Sequence, residues 1–139
     1  MAFYVIGRKV KRLISIFLLV CALFIQGCST LADARKAEGE GVKKTYIASY
    51  EKTWNACNTA LDKLKLEIAS ENREKGYILA QRGMTLGSYG ENVAVFVRKK
   101  TDNETNVEVV SKKSMATNIF APDWTEDVFK EIDIALKNQ

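Results

Sequence analysis

Histidine is absent from this 139-residue chain. Its absence removes the commonest general base, proton shuttle and metal ligand together. Cysteine is scarce and scattered: Cys21 within an apolar N-terminal run, Cys28 at the end of that run, and Cys57 alone beyond it. One cysteine cannot cross-link a fold, and no Cys-x-x-Cys or Cys/His spacing points to zinc. An excess of one charge is also missing where it would matter. The formal net charge is +4, but Arg8, Lys9, Lys11 and Arg12 are the only charges before Cys28. From Cys28 onward 17 basic residues stand against 17 acidic ones. A surface that tracks nucleic acid needs surplus Lys and Arg in the folded part, so no nucleic-acid partner is expected. No metal and no cofactor are expected either. Gly83 to Glu91 is glycine-rich but lacks both G-x-x-x-x-G-K-[ST] and G-x-G-x-x-G, with no helix pattern after it, and reads as a turn between strands.

A long apolar run is the last thing lacking. The uncharged stretch from Leu13 to Ile25 is well short of the roughly 20 residues a membrane-spanning helix needs. What stands there instead has the three-part layout of an export signal: a basic segment ending at Arg12, the apolar run, then Gln26, Gly27 and Cys28. The basic residues would keep their end in the cytoplasm while the rest is translocated. Ile25-Gln26-Gly27-Cys28 resembles the lipobox of bacterial lipoproteins, with an aliphatic residue, a variable one, a small one and the cysteine. The resemblance implies diacylglyceryl transfer to the Cys28 thiol and cleavage between Gly27 and Cys28. Each buried methylene contributes about 0.8 kcal/mol and two chains anchor stably, so a diacylated cysteine holds without a transmembrane helix. Ser29 after the cysteine, where aspartate would be the retention signal, favours the outer membrane by analogy with enteric lipoproteins. In an organism without one, the plasma membrane takes its place. Ala32-Asp33-Ala34 is a rival site, at which ordinary signal peptidase would release a soluble secreted domain.

The organisation expected is a signal peptide over 1–27, a lipidated flexible tether over 28–43 and a single domain over 44–139. The tether is polar and carries Gly39 and Gly41; its Ala, Lys and Glu content favours helix in part. Lys44 to Ser49 alternates like a strand. Ser49 can cap a helix in which Tyr50, Trp54, Cys57, Leu61 and Leu64 form one apolar stripe, ending near Lys65. Cys57 and Trp54 on that stripe read as core. Strands follow at Leu66–Ser70, Tyr77–Arg82, Asn92–Lys99 and Asn106–Lys112, with a hairpin loop at Thr101–Thr105 between the last two. In Asn92–Lys99 both faces are apolar in the middle, the pattern of a central strand. The only proline, Pro122, precedes a last helix expected to begin at Asp123 with Glu126 as its capping-box partner. The fold class is therefore α+β, in the order β-α-β-β-β-β-α, with an antiparallel sheet of four to five strands and two helices on one face.

Trp54-Asn-Ala, Ala60-Leu61, Leu64 and Gly76-Tyr-Ile-Leu-Ala80 together resemble a group of small bacterial outer-membrane lipoproteins of uncharacterised function. The arrangement is also similar to the repeated domains of the C lipoprotein of the outer-membrane barrel-assembly machine. The resemblance implies an envelope location and this fold, and it implies no catalytic residues. On this reading the domain is a non-catalytic binding or scaffolding module facing the periplasm, with the membrane and an envelope protein as partners. Met115, Ile119 and Phe120, apolar residues in a long polar connection, either fold back on the core or form a partner-binding edge, and are the candidate partner surface. The competing class is a small envelope enzyme. Glu91, Glu108 and Asp123 are its available carboxylates, and two of them would have to converge.

Overall fold

The structure, a computed structural model, describes residues 30–83, 90–114 and 122–138, together with Val10. A short helix α1 (Leu31–Lys36) leads into strand β1 (Val42–Tyr46) and helix α2 (Tyr50–Lys63). Four strands follow, β2 (Glu67–Asn72), β3 (Tyr77–Arg82), β4 (Glu91–Lys99) and β5 (Thr105–Lys113), and helix α3 (Thr125–Lys137) closes the order. The strands make one antiparallel sheet in the order β1-β5-β4-β3-β2. Four of them form a meander. β1 returns across α2 to pair beside β5, from Val42 opposite Val109 to Tyr46 opposite Thr105. The expected fold class is what the chain adopts. β4 is the middle strand, which is why Val93 to Val97 are all buried on both faces.

The main core lies between the sheet and the two long helices. α2 supplies Trp54, Cys57, Ala60 and Leu61, and α3 supplies Val128, Phe129, Ile132 and Ala135. They meet Ile78, Val93, Val95, Val97, Val107 and Val109 from the sheet. Fully burying one such aliphatic or aromatic side chain stabilises by about 1.5–3 kcal/mol. Trp54 is anchored further by Tyr50, stacked on it at 5.9 Å.

The ends of α2 show why the helix stops where it does. The Ser49 hydroxyl accepts from the Lys52 N–H, satisfying one orphan donor of the first turn. At the other end Leu66 N–H donates to the Leu61 carbonyl and Lys65 N–H to that of Asp62, both at 2.9 Å. This is the Schellman pattern, and it puts Lys65 at φ 56°, where glycine is usual. Leu66, expected in the following strand, instead joins the core beside Leu61 as the hydrophobic contact that accompanies such an ending.

Three of the boundaries that differ from the sequence expectation do so for a tertiary reason. β1 starts at Val42 and ends at Tyr46, because pairing with β5 runs out at Thr105. The Thr105 hydroxyl then donates to the Ala48 carbonyl at 3.0 Å, and the chain turns toward the α2 cap. The alternation after Leu66 is broken by an irregularity between Ile68 and Ser70, which carries β2 on to Asn72. α3 starts at Thr125, with Trp124 at its N-cap in helical geometry and no capping box. Asp123 acts one position earlier than expected, accepting from the Thr125 N–H at 2.9 Å.

The largest departure concerns the expected tether. Residues 30–41 do not leave the domain. They lie across the sheet face opposite the long helices, where Ala34 and Ala37 pack with Leu79, Ala94, Phe96 and Val110. The Ala, Lys and Glu content behind the expectation favours helix, and a capping box between Thr30 and Asp33 starts it. Composition gave little sign of the docking, because the buried side chains that dock, Ala34 and Ala37, are alanines and only Leu31 adds apolar bulk.

Candidate functional site

Two arrangements stand out among the described residues: the fastening of the N-terminal strap, and an open surface at the end of the domain that carries the β1–α2 turn.

The strap is held by one buried carboxylate. Glu108, on β5, is 7% exposed. Its Oε1 accepts from the Gly39 N–H at 2.7 Å and the Gly41 N–H at 2.8 Å. Lys43 Nζ stands 3.7 Å from the second oxygen. Charge-assisted bonds to backbone N–H groups are about twice as strong as neutral ones. Gly41 has to be glycine here: a side chain would run into the Val109 carbonyl and the Val110 side chain. Around this point the strap is tied by charge as well. Glu38 pairs with Arg98, Glu40 with Lys112 at 3.3 Å, and the Arg35 guanidinium lies 4.3 Å from the centre of the Tyr77 ring.

Arg98 links the strap to the β2–β3 turn. Besides Glu38 it donates to the Lys75 and Gly76 carbonyls, at 2.6 and 2.8 Å. Gly76 has φ 60°, and a side chain on it would strike the Val97 carbonyl and this guanidinium. The turn therefore needs glycine for both conformation and space.

The open surface has Ile47 at its centre, 90% exposed. Two shallow clefts share Ser49 here, and Ile47 lines the second. One, of about 550 Å³, is lined by Tyr50, Glu51, Arg73 and Arg98 among others; Arg73 pairs with Glu51 within the wall, and Arg98 with Glu38 outside it. The other, of about 770 Å³, is lined by Tyr46, Ile47, Ala48 and Leu136, with Lys52, Asp133 and Lys137 at its rim. Lys44 donates to both Asp133 oxygens, at 2.6 and 2.7 Å. Desolvation alone would raise the Asp133 carboxyl, but the hydrogen bonds from Lys44 and the charges of Lys44 and Lys137 outweigh it and hold it low. Burial, then the neighbouring Asp133 charge, pushes the Tyr46 phenol well above its ordinary range. These are groups fixed in one protonation state near neutrality, which suits binding better than proton transfer.

The sequence-derived candidates fall out as follows. Glu91 and Glu108 lie on β4 and β5 at positions that project to opposite faces of the sheet. Glu91 shares its face with Val93 and Val95, and Glu108 sits opposite Phe96. Asp123 is engaged with the α3 backbone. Glu91 and Glu108 therefore do not form the convergent pair that glycoside cleavage needs. Cys57 is fully buried, and burial pushes its thiol up to about 12, consistent with the core reading and not with a reactive thiolate. Gly27 and Cys28 lie outside the described residues, as do Met115, Ile119 and Phe120 and most of the Gly83–Glu91 stretch. The Ile47 surface was missed in the sequence because Tyr46-Ile47-Ala48 continues the strand alternation. Among the described residues no group of three His, Cys, Asp or Glu is placed to hold a metal. Nor is any described helix long and apolar enough to cross a membrane.

No protein-family model matches the chain, and no curated protein matches it in sequence. Among solved structures, a putative uncharacterised protein from Bacillus thuringiensis is similar over 70% of this chain and 94% of its own. The identity is 9% and the TM-score 0.46, so the likeness carries nothing about function.

Proposed function

We propose that the protein is a lipid-anchored envelope module, attached through Cys28 to the outer membrane and facing the periplasm, where it binds or scaffolds an envelope protein without catalysis. The observation that carries this reading is Ile25-Gln26-Gly27-Cys28 at the end of a short apolar run behind four basic residues. Charge balance from Cys28 onward favours a protein or lipid partner over nucleic acid. The rival cut after Ala34 loses support from the packing. It would remove Leu31 and Ala34, leaving Ala37 alone of the helix's apolar residues to cover Leu79, Phe96 and Val110. The enzyme reading loses support from the separation of Glu91 and Glu108 across the sheet. For a partner protein, the apolar ground at Ile47, Ala48 and Leu136 is the described surface best suited to receive it.

The test is the intact mass of the full-length protein and of Cys28→Ala after expression in a Gram-negative host. A mature chain beginning at residue 28 with added acyl mass, absent from the variant, is the expected result. An unmodified chain beginning after Ala34 would overturn it.

A further inference from the structure

We propose that the outer face of α1 rests on the lipid headgroups, so that the domain is clamped against the membrane and does not hang from a tether. This rests on lipid attachment at Cys28. Only Ser29 separates Cys28 from Thr30, where the folded domain begins. Two backbone steps span at most about 7 Å. Had residues 28–42 been free, the same chain could have reached roughly 50 Å. The slack is taken up because α1 is seated on Leu79 and Phe96 and the two glycine N–H groups are held by Glu108.

The occupant is argued from that length of chain and from charge. α1 is six residues long, about 9 Å, so all of its outer face stays near the anchor. That face presents Lys36, exposed, with Ala32 beside it and, at its flank, the exposed Arg35, which lies over the Tyr77 ring at 4.3 Å. The acidic side chains nearby are engaged elsewhere. Asp33 accepts from the Thr30 backbone and hydroxyl, Glu38 pairs with Arg98, and Glu40 with Lys112. Cations held this close to anionic headgroups are attracted within a Debye length of the surface. The consequence is that the domain's partners are confined to a thin layer at the membrane.

The test uses the full-length lipidated protein in vesicles of phosphatidylethanolamine and phosphatidylglycerol carrying a headgroup quencher. A fluorophore is placed on Ala32→Cys or, on the far side of the sheet, on Lys130→Cys; native Cys57 is buried and stays unlabelled. Intact mass is read on each sample to establish acylation. Quenching several-fold stronger at position 32 than at 130, and lost when Glu108→Ala is added, is the expected result. Acylated protein with equal quenching at both positions would overturn the clamp while leaving the lipoprotein reading intact. A difference seen in native envelopes but not in the vesicles would also overturn it, since a protein would then be the partner of α1. Absence of acyl mass would overturn the anchor and the clamp together.

Discussion

The two faces of the sheet are covered by different means. On one, two helices of 14 and 13 residues bring Trp54, Leu61, Phe129 and Ile132 onto a row of valines. On the other, a six-residue helix brings little more than Ala34 and Ala37 onto Leu79, Phe96 and Val110. The first cover is held by apolar volume. The second has little volume to bury, and an isolated helix of that length has almost no stability of its own. Its attachment is therefore polar and directional: one carboxylate on two glycine N–H groups, two ion pairs and an arginine over a tyrosine ring. The contrast teaches that a segment of polar composition can still be part of a fold when the partner surface supplies the specificity.

The contrast can be broken most forcefully from the helix side. Leu61→Ala should cost about 2–5 kcal/mol, as buried leucine truncations do, and should lower the stability of the whole domain in denaturant unfolding. Equal loss from truncating an exposed residue of α2 would show that the helices are not the main cover. On the strap side, Glu108→Ala should cost less, about 1.5–3 kcal/mol for a buried charge-assisted acceptor whose donors lose their partner. Its signature is local. Amide exchange should rise across residues 31–41 before it rises in α2 or β4. Uniform acceleration would mean that both faces open as one unit.

Two smaller effects sharpen the comparison. Lys65→Gly should raise stability by about 1 kcal/mol, because it relieves a left-handed backbone at the end of α2 without touching a contact. A loss, read by the same unfolding curve, would mean that the lysine side chain itself is needed there. Ile47→Asp should change stability by less than about 0.5 kcal/mol, since the side chain is 90% exposed. It should nonetheless weaken capture of an envelope partner by the full-length protein. Unchanged capture would remove the Ile47 surface from the functional reading.

Much of the scaffold was legible in the residues, and the reason differs by element. α2 could be read because Tyr50, Trp54, Cys57 and Leu61 fall on one side of a helix, a pattern no strand would keep. Tyr77–Arg82 was readable to its boundaries, between Gly76 and Gly83. The misreadings cluster where a contact distant in sequence sets the outcome. β1 stops because its partner Thr105 ends the ladder, and Ile47 is exposed by the turn that follows. Of the features proposed to serve function, the lipobox-like segment was legible because it is a local pattern. The Ile47 ground and the Glu108 clamp were not, because each joins residues roughly 60 to 90 positions apart.

By itself the sequence determined the address-like N-terminus, the α+β class, the two amphipathic helices and the central strand, since each follows from local pattern and the periods of helix and strand. Tertiary structure alone decided that β1 lies beside β5 and that the carboxylates of β4 and β5 point to opposite faces. It alone decided that the expected tether is strapped to the sheet. The physical reason is that strand pairing and backbone-to-carboxylate bonds join groups far apart in the chain, and their partners are chosen by position in space, which no local pattern records.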